Sequence, residues 1–220
     1  MKKFFRENSL SIVLFLLFFI FLGALSITGY LHENKEMAQH GQPPTTYQEY
    51  VTSGSFVEAV FENWESEFLQ MGALVVLTIW LVQKGSADSK KLRGKDPVDT
   101  SSRYSIIHAS SWRTRKKAIG KMLYANSLSI ALFSLFFMSL ALHAFGGVAA
   151  ANEEAMLHHQ KTMSVAEYVS SSQFWFESFQ NWQSEFLAVG LLLVLSVFLR
   201  QRGSPESKPI GEPNKKTGSS

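Results

Sequence analysis

The feature that most constrains this chain is an uncharged, apolar run of 23 residues, Ser9–Leu31. As an α-helix that rises about 1.5 Å per residue, the run reaches about 34 Å and spans a hydrocarbon core of about 30 Å. A second long run, Ser127–Ala151, contains His143 as its one ionisable residue. Two shorter runs, Phe68–Val82 and Phe186–Leu199, need about one or two more turns from the segments before them. The sequence therefore predicts an all-α membrane protein with four transmembrane helices.

The distribution of charge predicts how these helices are oriented. Residues 2–6, 84–121 and 200–216 hold 19 of the 21 Lys and Arg residues. Residues 32–67 and 152–185 hold 12 of the 18 acidic residues. Because cytoplasmic loops are enriched in Lys and Arg, we expect both termini and the central basic segment in the cytoplasm.

The basic stretch Trp112–Lys121 reads WRTRKKAIGK. It orients the protein, and it also suits anionic lipid headgroups, at about 1 kcal/mol for each basic residue near the surface. Nucleic acid is not an expected partner, since orientation in the membrane already explains the charge.

The chain repeats itself at an offset of 118 residues. Residues 8–90 align with residues 126–208 without a gap, and 38 of the 83 positions are identical. Each copy contributes two predicted crossings, an even number, so both enter the membrane in the same direction. We therefore expect two parallel two-helix repeats with pseudo-two-fold symmetry along the membrane normal.

This duplication divides the chain into four predicted parts. They are a first repeat (1–92), a basic cytoplasmic linker (93–120), a second repeat (121–208) and a disordered cytoplasmic tail (209–220).

Each repeat also carries signals for where its helices begin and end. Thr46-x-x-Glu49 and Ser164-x-x-Glu167 are capping boxes, which predict a short helix at each place. A second helix is expected to begin near residues 55 and 173 and to run about 28 residues, since a cation and a glycine stand at 84–85 and 202–203.

Three motifs occur in both repeats: NSLS, NW-x-SEFL and GS-x-x-SK. They begin at Asn8, Asn63 and Gly85 in the first repeat and at Asn126, Asn181 and Gly203 in the second. With these motifs the chain resembles a bacterial family of small, four-helix integral membrane proteins of unknown function, over nearly its whole length. The resemblance implies a helical fold and a place in the bacterial inner membrane. It implies no activity and no catalytic residues.

The NW-x-SEFL motif places acids at the predicted membrane depth. Asn63 and Glu67 share one helix face, as do Asn181 and Glu185, because each pair is four residues apart. If the two carboxylates face each other, they form a site for a cation or a shared proton. The alternative is that each acid lies at headgroup level and bonds locally. Tryptophan marks membrane interfaces, so Trp64, Trp182 and, in the basic stretch, Trp112 are predicted interface residues.

A second candidate site is Glu36-x-x-x-His40, matched by Glu154-x-x-x-His158 in the second repeat. A spacing of four places both side chains of a pair on one helix face. Two carboxylates and two imidazoles suit zinc, iron or manganese, and His32 and His159 lie near enough in sequence to add ligands. The alternative is an ordinary surface helix that binds no metal. A metal ion is the only cofactor that the sequence suggests.

His143 is a third candidate because a histidine inside a membrane segment is costly. Its counterpart in the first repeat is Leu25. The alternative is that His143 only bonds to a neighbouring helix.

Enzyme classes receive no support from the sequence. There is no cysteine for thiolate chemistry, and the nucleotide-binding, zinc-protease and hydrolase motifs are missing. We therefore expect a structural or partner-binding membrane protein, acting as a homo-oligomer or with another membrane protein. The alternatives are a small cation or proton channel at Glu67 and Glu185, or a membrane metalloprotein.

Overall fold

The structure, a computed structural model, describes residues 2–92 and 112–218, and the side chains of residues 3–92 and 119–218. Within these ranges every regular element is an α-helix, which confirms the predicted all-α class. The helices are α1 (Lys2–Glu7), α2 (Ser9–Gln39), α3 (Tyr47–Val51), α4 (Gly54–Leu77), α5 (Trp112–Ala125), α6 (Ser127–Leu157), α7 (Val165–Val169) and α8 (Ser172–Phe198). Residues 93–111 of the predicted linker lie outside the described residues, and the rest of that linker lies in α5.

Three of these helices, α2, α6 and α8, are long and apolar enough to cross a membrane. On α2, for example, Phe15 and Phe21 are 65% and 67% exposed, which is favourable in lipid and costly in water. The predicted fourth crossing, α4, is not among them. Helix α4 carries three acids, Glu62, Glu65 and Glu67. The equivalent helix α8 has Gln180 and Gln183 in place of the first two, so it is less charged.

The second helix of each repeat ends earlier than predicted, α4 at Leu77 and α8 at Phe198. The predicted glycines, Gly85 and Gly203, do adopt left-handed φ values of +92° and +83°, but in the loops beyond the helices. Each loop is closed by its own hydrogen bond. The backbone amide of Gln83 donates to the Ser89 hydroxyl at 3.1 Å, and that of Gln201 donates to the Ser207 hydroxyl at 2.7 Å. These bonds favour a turn over continued helix.

The chain forms two compact units, and each contains segments of both repeats. Unit I comprises Met1–Phe61 and Leu142–Phe174, and unit II comprises Glu62–Ala141 and Trp175–Ser220. The buried apolar side chains of unit I are Tyr50, Val60, Ala144, Val148, Ala155, Tyr168 and Phe174.

In unit I, equivalent positions of the two repeats make the same contacts. Asn34 holds the backbone of Thr45 through its side-chain oxygen and nitrogen, and Asn152 holds that of Met163 in the same way. Both predicted capping boxes are confirmed at the start of α3 and α7. Each asparagine therefore ties the end of a long helix to the chain that leads into the next short helix.

In unit II, the residues predicted as a disordered tail make defined contacts. The buried Lys208 ammonium group donates to the backbone carbonyls of Pro213, Asn214 and Lys216. The Gly85 amide donates to the Thr217 hydroxyl at 2.8 Å, so the tail packs on the loop that follows α4.

Candidate functional site

Unit I contains an open cavity of about 550 Å³ formed by the end of α2, the start of α4, the end of α6 and the start of α8. Its titratable lining residues are Glu33, Glu36, His40, Glu58, Glu153, Glu154 and His158. None of the described residues that line it is Lys or Arg. The cavity therefore carries a strongly negative potential that favours a cation.

Both glutamate–histidine pairs predicted from the sequence line this one cavity. The imidazole rings of His40 and His158 have centroids 6.3 Å apart and are nearly perpendicular, at 85°. Two imidazoles on one tetrahedral zinc ion have ring centroids about 5–6 Å apart, given zinc–nitrogen bonds of about 2.0–2.1 Å. The separation of the two rings is therefore close to that of two imidazoles on one metal ion.

The ring of His40 is held in a tautomer that leaves one nitrogen available. Its Nδ1 lies 2.9 Å from the Glu36 carbonyl oxygen, and a carbonyl can only accept, so Nδ1 carries the proton. In the neutral ring, Nε2 is then the nitrogen with the lone pair. Metal-binding histidines commonly donate their other ring N–H to a carbonyl in this way.

The position of each histidine is fixed by how its helix ends. His40 follows the last residue of α2, and Gly41 then turns left-handed with φ +67°. The amides of Gly41 and Gln42 bond back to the carbonyls of Ala38 and Met37, which is a Schellman motif.

The second repeat ends its long helix in the same way, with a histidine in place of the glycine. His159 has φ +56°, and the amides of His159 and Gln160 bond to the carbonyls of Met156 and Ala155. His158 therefore occupies the same place on α6 as His40 does on α2.

The two further histidines suggested by the sequence do not line the cavity. His32 instead lies 3.4 Å from the Glu36 carboxylate, on the surface of α2. His159 occupies the left-handed turn just described. Among the carboxylates of the cavity, Glu33 is close enough to Glu36 and Glu153 for their charges to repel.

One wall of the cavity leads to a buried polar cluster. The Tyr168 hydroxyl donates to a Glu58 carboxylate oxygen at 2.8 Å, and a ring nitrogen of His143 lies within 4.8 Å of a Glu58 oxygen. His143 is fully buried, and its ring packs on Phe174 with centroids 4.9 Å apart. The third sequence candidate therefore lies beside the cavity.

Glu58 is the residue of this cluster that sequence reasoning missed. A signal was present, because Glu58 in the first repeat is matched by Phe176 in the second, just as His143 is matched by Leu25. The structure brings these two unmatched residues together, and Gly147 makes room for Glu58 and the Tyr168 hydroxyl. A Cβ atom at Gly147 would lie 2.5 Å from a Glu58 oxygen and 2.2 Å from the Tyr168 hydroxyl.

The carboxylate pair predicted from NW-x-SEFL lies in unit II. Glu67 is exposed and Glu185 is half-buried, and their charges interact. The asparagine predicted to accompany Glu185 bonds elsewhere, since the Asn181 side chain donates to Glu62 at 2.5 Å. Asn63 is exposed.

The tryptophans of this motif are half-buried in unit II. The Trp182 indole N–H donates to the fully buried Glu65 at 3.1 Å, and its ring contacts Phe136 and Phe179. Trp64 is also half-buried. Trp112 begins α5, and its side chain lies outside the described side chains.

The described residues form only helices, and three of these helices are long and apolar enough to cross a membrane. These features are typical of helical membrane proteins. The chain belongs to the family described as a domain of unknown function (DUF6766), whose model matches residues 1–219. This confirms the resemblance to an uncharacterised family. No curated protein and no solved structure matches the chain.

Proposed function

We propose that this chain is an integral membrane protein that binds a divalent transition-metal ion in the cavity of unit I. The observation that carries the proposal is the pairing of His40 and His158, one from each repeat, with ring centroids 6.3 Å apart on one acidic cavity. Glu36 and Glu154 are the carboxylate ligands nearest to them in sequence.

The chemistry of the cavity favours a transition metal over calcium or magnesium. Imidazole nitrogen suits zinc, iron, copper and nickel, whereas calcium and magnesium prefer oxygen alone. The charges of Glu36 and Glu153 repel that of Glu33, and a bound divalent cation would relieve this repulsion. Glu58, held by Tyr168, supplies a further carboxylate at the wall.

In this proposal α4 is the fourth crossing, and the four helices form two parallel repeats related by a pseudo-two-fold axis. At 24 residues α4 reaches about 36 Å, enough to cross. The polar groups of α4 support this arrangement because Asn181 satisfies Glu62 and Trp182 satisfies the buried Glu65. Acids inside membranes are paired in this way.

The proposed orientation puts both termini in the cytoplasm of a bacterial cell and the metal cavity on the outer side of the inner membrane. The support is the excess of Lys and Arg in residues 2–6, 84–121 and 200–216. It also assigns the basic stretch around Trp112 to the anionic inner surface of the membrane.

The test is equilibrium dialysis of the full-length protein in detergent, after removal of metal by a chelator, against Zn²⁺. We expect one zinc per chain, measured by mass spectrometry of the metal. The double variant His40→Ala with His158→Ala should weaken binding at least about tenfold. The matched control, His159→Gly, removes a nearby histidine that does not line the cavity and keeps a residue suited to the left-handed turn, so this variant should still bind.

Two outcomes would overturn the metal proposal. One is wild-type protein that shows no saturable binding of Zn²⁺. The other is equal binding by the wild type and the His40/His158 double variant.

A second candidate function is passage of a cation or proton at Glu67 and Glu185, which occupy matched positions of the two repeats. Flux into vesicles reconstituted with the full chain tests it. Glu67→Gln with Glu185→Gln should abolish the flux, and an unchanged flux would remove this candidate. A structural role, as a homo-oligomer or with a membrane-protein partner, stays a prediction that crosslinking in membranes would test.

A further inference from the structure

Unit II contains a second cavity, of about 770 Å³, with a different chemistry from the first. Its walls are mostly aliphatic side chains from the last turns of α4 and from α8, including Leu74, Leu192 and Leu193. Its volume lies in the range of about 300–1,000 Å³ that is typical of pockets for small molecules. A long apolar wall of this kind accepts a hydrocarbon chain.

The two charged residues that line this cavity, Asp88 and Glu206, lie in the loops that follow the two helices. They occupy matched positions of the two repeats, in GSADSK and GSPESK. None of the described residues that line the cavity is Lys or Arg. The cavity is therefore mostly apolar along the helices and negative at its mouth, the part that is lined by these two loops.

Local hydrogen bonds fix the backbone of both acids in these loops. The Asp88 amide donates to the Ser86 hydroxyl at 3.1 Å, and the Glu206 amide donates to the Ser204 hydroxyl at 3.2 Å. The same turn thus presents the acid in each repeat.

Two cations that flank the second loop, Arg200 and Lys208, bond to other groups. Arg200 donates to the Glu212 carbonyl and to the Asn214 side chain, at 2.9 and 2.7 Å. Lys208 donates to three backbone carbonyls of the tail. Neither cation therefore bonds to Glu206 in the contacts that the structure describes.

We propose that this cavity binds a phospholipid whose headgroup carries a primary ammonium, such as phosphatidylethanolamine, with one acyl chain along the leucine wall and the ammonium between Asp88 and Glu206. A primary ammonium has three N–H donors for the two carboxylates. A quaternary choline group has none, and an anionic glycerol headgroup is repelled by the acids. This proposal does not depend on metal binding in unit I.

The test is native mass spectrometry of the full-length protein, delipidated in detergent and titrated with phosphatidylethanolamine, phosphatidylcholine or phosphatidylglycerol of identical acyl chains. We expect the ethanolamine lipid to bind about tenfold more tightly than the choline lipid, because only it forms charge-assisted hydrogen bonds. Asp88→Asn with Glu206→Gln should remove this preference and leave binding of the choline lipid unchanged, which also shows that the variant is folded. The control Glu7→Gln, on exposed α1, should keep the preference.

A second variant tests the apolar wall. Leu193→Trp places a larger side chain in the cavity and should weaken both the ethanolamine and the choline lipids together. Equal binding of these two lipids by the wild type would overturn the proposal. So would tighter binding of the glycerol lipid, or a preference for ethanolamine that survives in the Asp88/Glu206 double variant.

Discussion

The Tyr168 hydroxyl donates a 2.8 Å hydrogen bond to the Glu58 carboxylate and so links α7 of the second repeat to α4 of the first. Both the tyrosine ring and the buried His143 pack on Phe174. The bond thus holds an acid beside a histidine at the edge of the acidic cavity.

Removing the hydroxyl should destabilise the protein. A buried hydrogen bond to a carboxyl group contributes about 1–3 kcal/mol, so Tyr168→Phe should lower the free energy of unfolding by that amount. Denaturant unfolding measured by circular dichroism gives the value. The matched control is Tyr50→Phe, because Tyr50 is the counterpart of Tyr168 in the first repeat. The acid has no such counterpart, since Phe176 occupies the position of Glu58 in the second repeat. An equal loss in both variants would show that the bond to Glu58 is not the cause.

Gly147→Ala should also destabilise unit I, because the new methyl group meets the Tyr168 hydroxyl at 2.2 Å and a Glu58 oxygen at 2.5 Å. Overpacking of this kind costs about 1–3 kcal/mol. Gly23→Ala is the control, since a Cβ atom there has nothing within 4 Å. Thermal unfolding in detergent should separate the two variants. If both unfold at the wild-type temperature, the close packing around Gly147 is not as described.

His159→Gly should stabilise the end of α6. A residue other than glycine in the left-handed conformation costs about 1–2 kcal/mol, and glycine loses part of this gain through its freer unfolded chain, so about 0.5–1 kcal/mol should remain. The reciprocal change, Gly41→His, should destabilise the end of α2 by a similar amount. Thermal midpoints that move in the same direction for both variants would contradict the matched Schellman motifs.

The two capping boxes predict a specific dependence on pH. Hydrogen bonds from the Thr46 backbone and side chain hold the pKa of Glu49 below its usual value, and Ser164 does the same for Glu167. A lowered folded-state pKa gives stability that is present above the unfolded pKa of about 4.3 and is lost as the pH falls through the folded value. Glu49→Ala with Glu167→Ala should therefore unfold at a lower temperature than the wild type at pH 7. The difference should shrink below about pH 4, and a difference that is constant with pH would count against the boxes.

Local signals in the sequence predicted the local structure well. The capping boxes at Thr46 and Ser164 depend only on neighbouring residues, and they appear where the spacing places them. The starts of α2 and α6 at Ser9 and Ser127 follow from the apolar runs. The ends of α4 and α8 were predicted wrongly, because the glycine signal at Gly85 and Gly203 serves a loop turn and a sequence pattern cannot separate the two uses.

Contacts between distant segments were harder to predict. The shared cavity for His40 and His158 follows from their matched positions, but Glu58 has no counterpart in the second repeat and so lacked that support. Asn181 was predicted to act with Glu185, its neighbour on the same helix face. Its bond to Glu62 depends on which helix lies opposite, and a single sequence does not record that.

Three hydrogen bonds that the structure describes between the repeats join a donor in the second repeat to an acid in the first. Tyr168 donates to Glu58, Asn181 to Glu62 and Trp182 to Glu65, whereas the second repeat carries Phe176, Gln180 and Gln183 at the positions of those acids. Two copies of the second half would therefore lack the carboxylate acceptors. The first half also carries the equivalents of the donors, Tyr50, Asn63 and Trp64, whereas the second half carries no equivalent of these acids. A second half released by a cut in the linker should therefore pair with a first half and not with a copy of itself.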